Sequence, residues 1–111
     1  MKKVATLNLE QGGPSVEHAL MHMKNSLATY KRQGVKAVVI IHGWGSSGVG
    51  GAIRSAVRNA LRGDDLRGIV RAFVACEEWS HKRREFIGMC KALEDERHLD
   101  GNEGVTVVVL R

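Results

Sequence analysis

Apolar side chains recur along the chain with two spacings, one typical of strands and one typical of helices. Apolar and polar residues alternate over 4–9, which predicts a short strand. The segment 36–41 is an almost continuous β-branched run, typical of a strand buried on both faces. Two further apolar segments, 69–76 and 105–110, have strand length and composition. The pattern therefore predicts four strands.

Two segments carry apolar residues at the spacing of an amphipathic helix. The first covers 16–32; Ser15 lies where a helix takes its N-cap, and Gly34 where it takes its C-terminal cap. The second follows a glycine-rich stretch and is predicted to end at Gly63. The apolar positions are Val16, Ala19, Leu20, Met23, Leu27 and Tyr30 in the first helix, and Ile53, Ala56, Val57, Ala60 and Leu61 in the second.

The segment 77–100 is long for a connection between the third and fourth strands. Its large apolar residues fall close to one helical seam, which predicts a third helix over 80–97, with Ser80 as a cap and Asp100-Gly101 as the stop. These apolar residues are Trp79, Phe86, Cys90 and Leu93. The predicted order is β-α-β-α-β, the extra helix, and β, which is an α/β arrangement.

Composition restricts the class of protein. A chain of 111 residues with 43% hydrophobic residues is long enough for one domain and one core. Seventeen Lys and Arg against twelve Asp and Glu give a net charge of +5, which favours anionic partners, nucleic acid first. Cys76 and Cys90 form no CxxC pair, and no secretory signal precedes them. The apolar run 37–41 is too short to span a bilayer. We expect a cytoplasmic protein that does not enter a membrane.

The glycine-rich stretch 42–51 follows a predicted strand and opens a predicted helix, so it invites comparison with known loops. The part 43–48 fits the dinucleotide pattern GxGxxG, which also needs an acid at the end of the next strand, about twenty residues on. Here Asp64 and Asp65 lie in the loop before the third strand, which ends at Cys76-Glu77, and the chain is short for a full doubly wound sheet. A P-loop is excluded because no Gly-Lys-Ser/Thr ends the stretch. An α/β-hydrolase is excluded because the chain has no GxSxG nucleophile elbow.

A fourth comparison fits the motifs in order along nearly the whole chain. They are Leu7-Asn8-Leu9-Glu10 at the end of the first strand, Ser15-Val16-Glu17-His18-Ala19-Leu20, His42-Gly43-Trp44-Gly45, the segment 51–61, and the closing segment 101–110, GNEGVTVVVL. In this the sequence resembles the small MutS-related (Smr) domain. The resemblance implies a two-layer α/β sandwich with a four-stranded mixed sheet, similar to the C-terminal domain of bacterial initiation factor three. It implies one domain over 1–111, with a helical insertion at about 77–100.

The resemblance also implies a function: binding of branched or structured DNA or RNA, with nicking or RNA-cleaving endonuclease activity in several members. The family's LDxH motif reads LNLE here, with Asn8 in place of the acid and Glu10 in place of the histidine. Whether this chain cleaves nucleic acid or only binds it therefore stays open. A divalent cation such as magnesium is expected only if the chain is a nuclease, and no metal site is predicted from its residues.

Two residues are candidates for catalysis. His42 ends the second strand, at the edge where α/β sheets collect their ligand sites, and an imidazole there can move a proton or contact a phosphate. The alternative is a histidine that hydrogen-bonds its own turn. Glu10 ends the neighbouring first strand, where its carboxylate would orient His42, accept a proton or bind a cation. The alternative for Glu10 is a solvated strand-end acid.

The candidates for binding nucleic acid lie in the loop and on the second helix. Backbone N–H groups of a glycine loop at a helix N-terminus suit an anion, and a loop tryptophan suits stacking on a base. Arginines at i, i+4 and i+8 form a stripe that would follow a phosphate backbone, unless it is simply a solvated helix face. The candidates are Gly43, Trp44, Gly45, Ser46, Ser47 and Gly48 in the loop, and Arg54, Arg58 and Arg62 in the stripe.

The third helix supports an alternative function of a different class. Its apolar edge must be buried either on the protein's own sheet or on a partner, because exposure forfeits roughly 1.5–3 kcal/mol per large side chain. A protein-interaction module, or a homodimer formed through this helix, is therefore a second hypothesis.

His18 and His22 share one face of the first helix, but no third metal ligand accompanies them.

Overall fold

The computed structural model describes residues 3–43 and 49–111, in which four strands and three α-helices follow one another in the predicted order. The strands are β1 (Val4–Asn8), β2 (Ala37–Ile41), β3 (Val70–Ala75) and β4 (Val105–Leu110), and the helices are α1 (Val16–Arg32), α2 (Val49–Arg62) and α3 (Trp79–Met89). Short 3₁₀ turns cover Asp64–Leu66, Cys76–Glu78 and Lys91–Asp95. The α/β class is confirmed.

The strands form one mixed sheet in the order β1-β2-β4-β3. β1 runs parallel to β2, with Val4 opposite Ala37, while β4 is antiparallel to both of its neighbours. Val108 at the middle of β4 pairs with Val38 on one side and Phe73 on the other. All six residues of β4 are buried, as a central strand with both faces covered requires. The predicted four-stranded mixed sheet is confirmed.

Helices α1 and α2 cover one face of the sheet. The predicted caps of α1 are present: the side-chain oxygen of Ser15 accepts from the backbone N–H of His18, and Gly34 follows the helix with φ of 83°. Helix α2 ends at Arg62, immediately before Gly63, as predicted. The core on this face is Ala19, Met23 and Leu27 of α1, Ile53, Val57 and Leu61 of α2, and Leu7, Val38, Ile40, Val70, Val108 and Leu110 of the strands.

Helix α3 covers the opposite face of the sheet. Trp79 and Phe86 meet edge to face with ring centroids 6.2 Å apart, and Cys90, Leu93 and Val107 belong to the same buried cluster. The other members of this second core are Ala37, Val39, Val74, Cys76, Leu99, Val105 and Val109. The extra helix therefore packs on its own sheet, and the apolar edge that suggested a homodimer is buried within the chain.

The third helix begins within one residue of its predicted start but ends well before its predicted end. The helix begins at Trp79 with no side-chain cap, so Ser80 is not the N-cap. It ends at Met89 because Cys90 is extended, with φ of −147° and ψ of 98°. Gly88 lowers the helix propensity just before this break. Gly101, with φ of 72°, serves the turn into β4 rather than the end of a helix.

No helix in the described part of the chain combines the length and the apolar character needed to cross a membrane.

Candidate functional site

The turn at the end of β2 is held by backbone hydrogen bonds from both neighbouring strands. On the β1 side, Leu9 N–H donates to the carbonyl of Ile41 across 2.8 Å. On the β4 side, the N–H groups of His42 and Gly43 both donate to the carbonyl of Gly104, at 2.9 and 3.1 Å. Along the chain, this turn precedes the N-terminal end of α2.

The ring of His42 is completely buried, and both of its nitrogens have partners. Nδ1 lies 2.8 Å from the carbonyl oxygen of Gly43, and because a carbonyl only accepts, Nδ1 carries the proton. Nε2 lies 2.9 Å from Oγ1 of Thr106, also fully buried. In the neutral ring Nε2 accepts, so the Thr106 hydroxyl donates to it. In this arrangement His42 has no nitrogen left for a substrate.

Burial lowers the pKa of His42 to about 4, because the buried site disfavours the charged imidazolium. The hydrogen bond to Gly43 opposes this shift, while the positive charges of Arg58 and Arg54 lower the pKa further. The imidazole is therefore neutral at physiological pH, consistent with the hydrogen-bond directions above. The geometry agrees with the alternative role, a histidine that hydrogen-bonds its own turn.

Arg58 extends this network instead of facing solvent. Its Nε–H donates to Oγ1 of Thr106 across 3.2 Å. Its two terminal nitrogens donate to the two carboxylate oxygens of Glu77 at 2.9 and 2.8 Å. Its side chain is only 14% exposed. One chain of hydrogen bonds thus runs from the partly buried Glu77 and Arg58 to the fully buried Thr106 and His42; we call these four residues the buried relay. It fixes α2 against the ends of β2, β3 and β4.

Two opposed effects act on the carboxyl of Glu77. Partial burial on its own would raise its pKa, but the hydrogen bonds from Arg58, together with the backbone N–H and the charges of Arg58 and Arg54, lower it below the usual 4.5. Glu77 is therefore ionised at neutral pH and neutralises Arg58. Because of this pairing, Arg58 is poorly suited to be a phosphate contact.

Glu10 lies against the glycine of the same turn. A Cβ built on Gly43 would come within 2.5 Å of a carboxylate oxygen of Glu10, a flexible side chain that can move aside, whereas the φ of Gly43, 78°, itself requires glycine. Asn8 shapes this approach, since its side-chain oxygen accepts from the Glu10 N–H across 2.8 Å. Glu10 itself is exposed, and the hydrogen bonds of the His42 ring go to Gly43 and Thr106. The predicted orientation of His42 by Glu10 through a hydrogen bond is thus not the observed contact.

The predicted arginine stripe divides into three different environments. Arg54 is half-buried and close enough to the relay for its charge to act on His42 and Glu77. Arg58 is committed to Glu77. Arg62 is exposed at the far end of α2, with its guanidinium 5.4 Å from the centre of the Phe73 ring. The loop candidates Trp44, Gly45, Ser46, Ser47 and Gly48 lie outside the described residues.

Two members of the relay, Thr106 and Glu77, were not among the candidates from sequence. The sequence nevertheless contains an indication of each residue. Thr106 is the one polar residue in the apolar strand VTVVVL, and Glu77 directly follows the third strand at the edge where His42 ends the second. The sequence does not indicate that both residues pair with Arg58, because this pairing depends on how α2 is rotated about its own axis.

The described residues contain no group of three or more His, Cys, Asp or Glu side chains placed to hold a metal ion. His18 and His22 are both exposed on α1. Among the described residues, the carboxylates and histidines therefore form no cluster that could coordinate magnesium.

An α/β domain with a His-Gly turn at the edge of a mixed sheet is the class that these observations define. The sequence model of the Smr domain family matches residues 12–111, so the chain belongs to this family, as its motifs predicted. The fold is similar to the crystal structure of the Smr domain of MutS2 from Thermus thermophilus, with a TM-score of 0.59 and 28% identity over 98% of both chains. No curated protein sequence matches the chain. The family is generally known for binding and nicking nucleic acids.

Proposed function

We propose that the protein binds structured DNA or RNA at the sheet edge formed by the ends of β1 and β2, where the His42–Gly43 turn leads to α2. One observation carries the proposal: α2 is a helix with three arginines and no acidic residue, and the buried relay fixes it beside that turn. A helix N-terminus favours negative charge, and Arg54 adds a full positive charge near the same end.

The proposal assigns different roles to residues that look alike in the sequence. Arg54 contacts phosphate, because it is the arginine of α2 that lies near the turn without an ion-pair partner among the described residues. Arg58 and His42 position the turn, since their polar atoms are already engaged within the protein. Glu10 adds a negative charge beside Gly43 and so limits how closely a phosphate approaches.

Binding is measured across a salt series with three probes: a duplex, a four-way DNA junction and a structured RNA. Each phosphate contact contributes about 0.9 to the slope of log affinity against log salt for duplex DNA. We expect Arg54→Ala to weaken binding and to reduce the slope by about 0.9, the contribution of one phosphate contact. The matched control is Arg84→Ala, an exposed arginine on α3, on the opposite face of the sheet.

A control variant that weakens binding as much as Arg54→Ala would show that net charge, not this edge of the sheet, attracts the nucleic acid. The absence of binding to all three probes at low salt would remove the proposed function itself. The comparison of junction, duplex and RNA also identifies the preferred nucleic acid.

A further inference from the structure

Four arginines meet at the end of the molecule away from the His42–Gly43 turn. Arg62 of α2, Arg67, Arg71 of the edge strand β3 and Arg111 line a surface groove of about 310 Å³, with Phe73 in its wall. We call this feature the arginine groove. The remaining lining residues are Leu61, Gly63, Val70 and Ala72, so no acidic side chain lines it.

The charge of the arginine groove is only partly balanced. Asp64 pairs with Arg67, but both side chains are at least three-quarters exposed, and such pairs contribute little and are screened by salt. The nearby Asp65 pairs instead with Lys24 of α1 across 3.2 Å. Arg62 donates to the neutral side chain of Asn59, and Arg111 to the carbonyl of Arg67. Neighbouring like charges repel, so an anion held among them relieves that repulsion.

The aromatic ring in the groove suits the same type of ligand. Phe73 is half-buried, and the guanidinium of Arg62 lies over its ring, which favours one orientation of that long side chain. An arginine oriented in advance loses less conformational freedom when it binds a phosphate. Arg71 is exposed, and no ion pair engages it among the described residues.

We propose that the arginine groove is a second phosphate-binding contact for the backbone of the same nucleic acid. This inference rests on the proposed function. Arg54 and Arg62 are eight residues apart on α2, which is about 12 Å along the helix axis. Between them the exposed positions, Ser55 and Asn59, carry no charge. A nucleic acid that lies along α2 therefore meets no acidic side chain of this helix between the two contacts.

The length of nucleic acid required follows from this spacing. Arg54 and Arg62 lie about 12 Å apart along the axis of α2, and each base pair advances a duplex by roughly 3.4 Å. About four base pairs are therefore needed to reach both contacts, whereas a dinucleotide, roughly 7 Å long, reaches only one of them. We expect the groove to increase the affinity for long duplexes and to leave the affinity for a dinucleotide almost unchanged.

The test uses the full chain with a dinucleotide and a duplex of about 16 base pairs, chosen from this spacing. The variants are Arg71→Ala, the charge-preserving Arg71→Lys and Arg62→Ala, with Arg84→Ala as the control. For the long duplex, we expect Arg71→Ala and Arg62→Ala each to reduce the salt slope by about 0.9, and Arg71→Lys to restore most of it. Wild-type and variant affinities for the dinucleotide should agree.

If Arg54→Ala reduces the salt slope while Arg62→Ala and Arg71→Ala do not, the arginine groove is not a contact, although the proposed function stands. If the wild type does not bind the long duplex, the same variants are tested on whichever of the four-way junction and the structured RNA it binds; binding to none of these probes removes both proposals. Competition by polyglutamate as effective as competition by DNA would assign the groove to an acidic protein, and would overturn the inference.

Discussion

The hydroxyl of Thr106 at the start of β4 donates to Nε2 of His42 at the end of β2, across 2.9 Å, and both residues are fully buried. The same oxygen accepts from Nε of Arg58 on α2 at 3.2 Å. One hydroxyl thus joins two strands and a helix at the edge where the family's His-Gly motif lies. The motif histidine is held in one tautomer with its other nitrogen donating into its own turn.

Removing that hydroxyl should destabilise the protein. Thr106→Val keeps the shape of the side chain but leaves Nε2 of His42 and Nε of Arg58 without their partner. The expected loss in the free energy of unfolding is about 1–3 kcal/mol, measured by urea denaturation. Thr106→Ser retains the hydroxyl and should lose less than Thr106→Val. Equal losses in the two variants would show that the methyl group, not the hydrogen bonds, matters.

The buried histidine should make stability depend on pH. Its pKa is about 4 in the folded protein against 6.5 for the ordinary side chain, so between these values the unfolded chain binds the extra proton. The free energy of unfolding therefore falls as the pH drops from about 6.5 to 4, by about 3 kcal/mol in all at 1.36 kcal/mol per pH unit. Below pH 4 this contribution is fully lost.

Urea denaturation at a series of pH values measures this effect. His22→Gln, an exposed histidine on α1, should retain the full pH dependence, while His42→Asn should lose most of the part between pH 6.5 and 4. Glu77 acts in a lower range: its pKa is depressed, so its contribution is complete above about 4.5 and is lost as the pH falls below that value. A wild-type stability that stays constant from pH 7 to 5 would contradict the buried neutral histidine.

Arg58 should matter for stability and not for direct contact with nucleic acid. Arg58→Ala leaves Glu77 and the Thr106 hydroxyl without their donor, and we expect a loss of about 1–3 kcal/mol in the free energy of unfolding. At a temperature where the variant stays folded, the salt slope of its binding should equal that of the wild type. A slope reduced by about 0.9 would make Arg58 a phosphate contact after all.

The Glu10→Gln variant distinguishes a role of Glu10 in binding from a role in catalysis. Its exposed carboxylate lies against Gly43 and repels a phosphate at the turn, so Glu10→Gln should strengthen binding by about two- to fivefold at low salt. Nicking of supercoiled plasmid, with and without magnesium, is measured on the same variant. A nicking activity that the wild type has and Glu10→Gln lacks would instead give Glu10 a role in catalysis.

The sequence predicted the strands, helices and caps that depend on local patterns of residues. It did not predict the side-chain pairs that form between residues distant in the chain. The strands and α1 followed from apolar spacing and from the caps at Ser15 and Gly34. The arginines of α2 looked equivalent, because a spacing of four residues does not reveal which side chain finds a carboxylate 19 positions further on. The break of α3 at Cys90 was missed for a similar reason: Leu93 joins the same core through a 3₁₀ turn.

The central claim is that nucleic acid binds where the His42–Gly43 turn meets α2. Amide chemical shifts recorded by NMR during titration with a four-way junction or a structured RNA test this claim most directly. We predict that the largest changes fall on Glu10, Gly43 and the first turns of α2 up to Arg54, while the amides of α3 change little. Changes concentrated on α3, with the His42–Gly43 turn unaffected, would contradict the account.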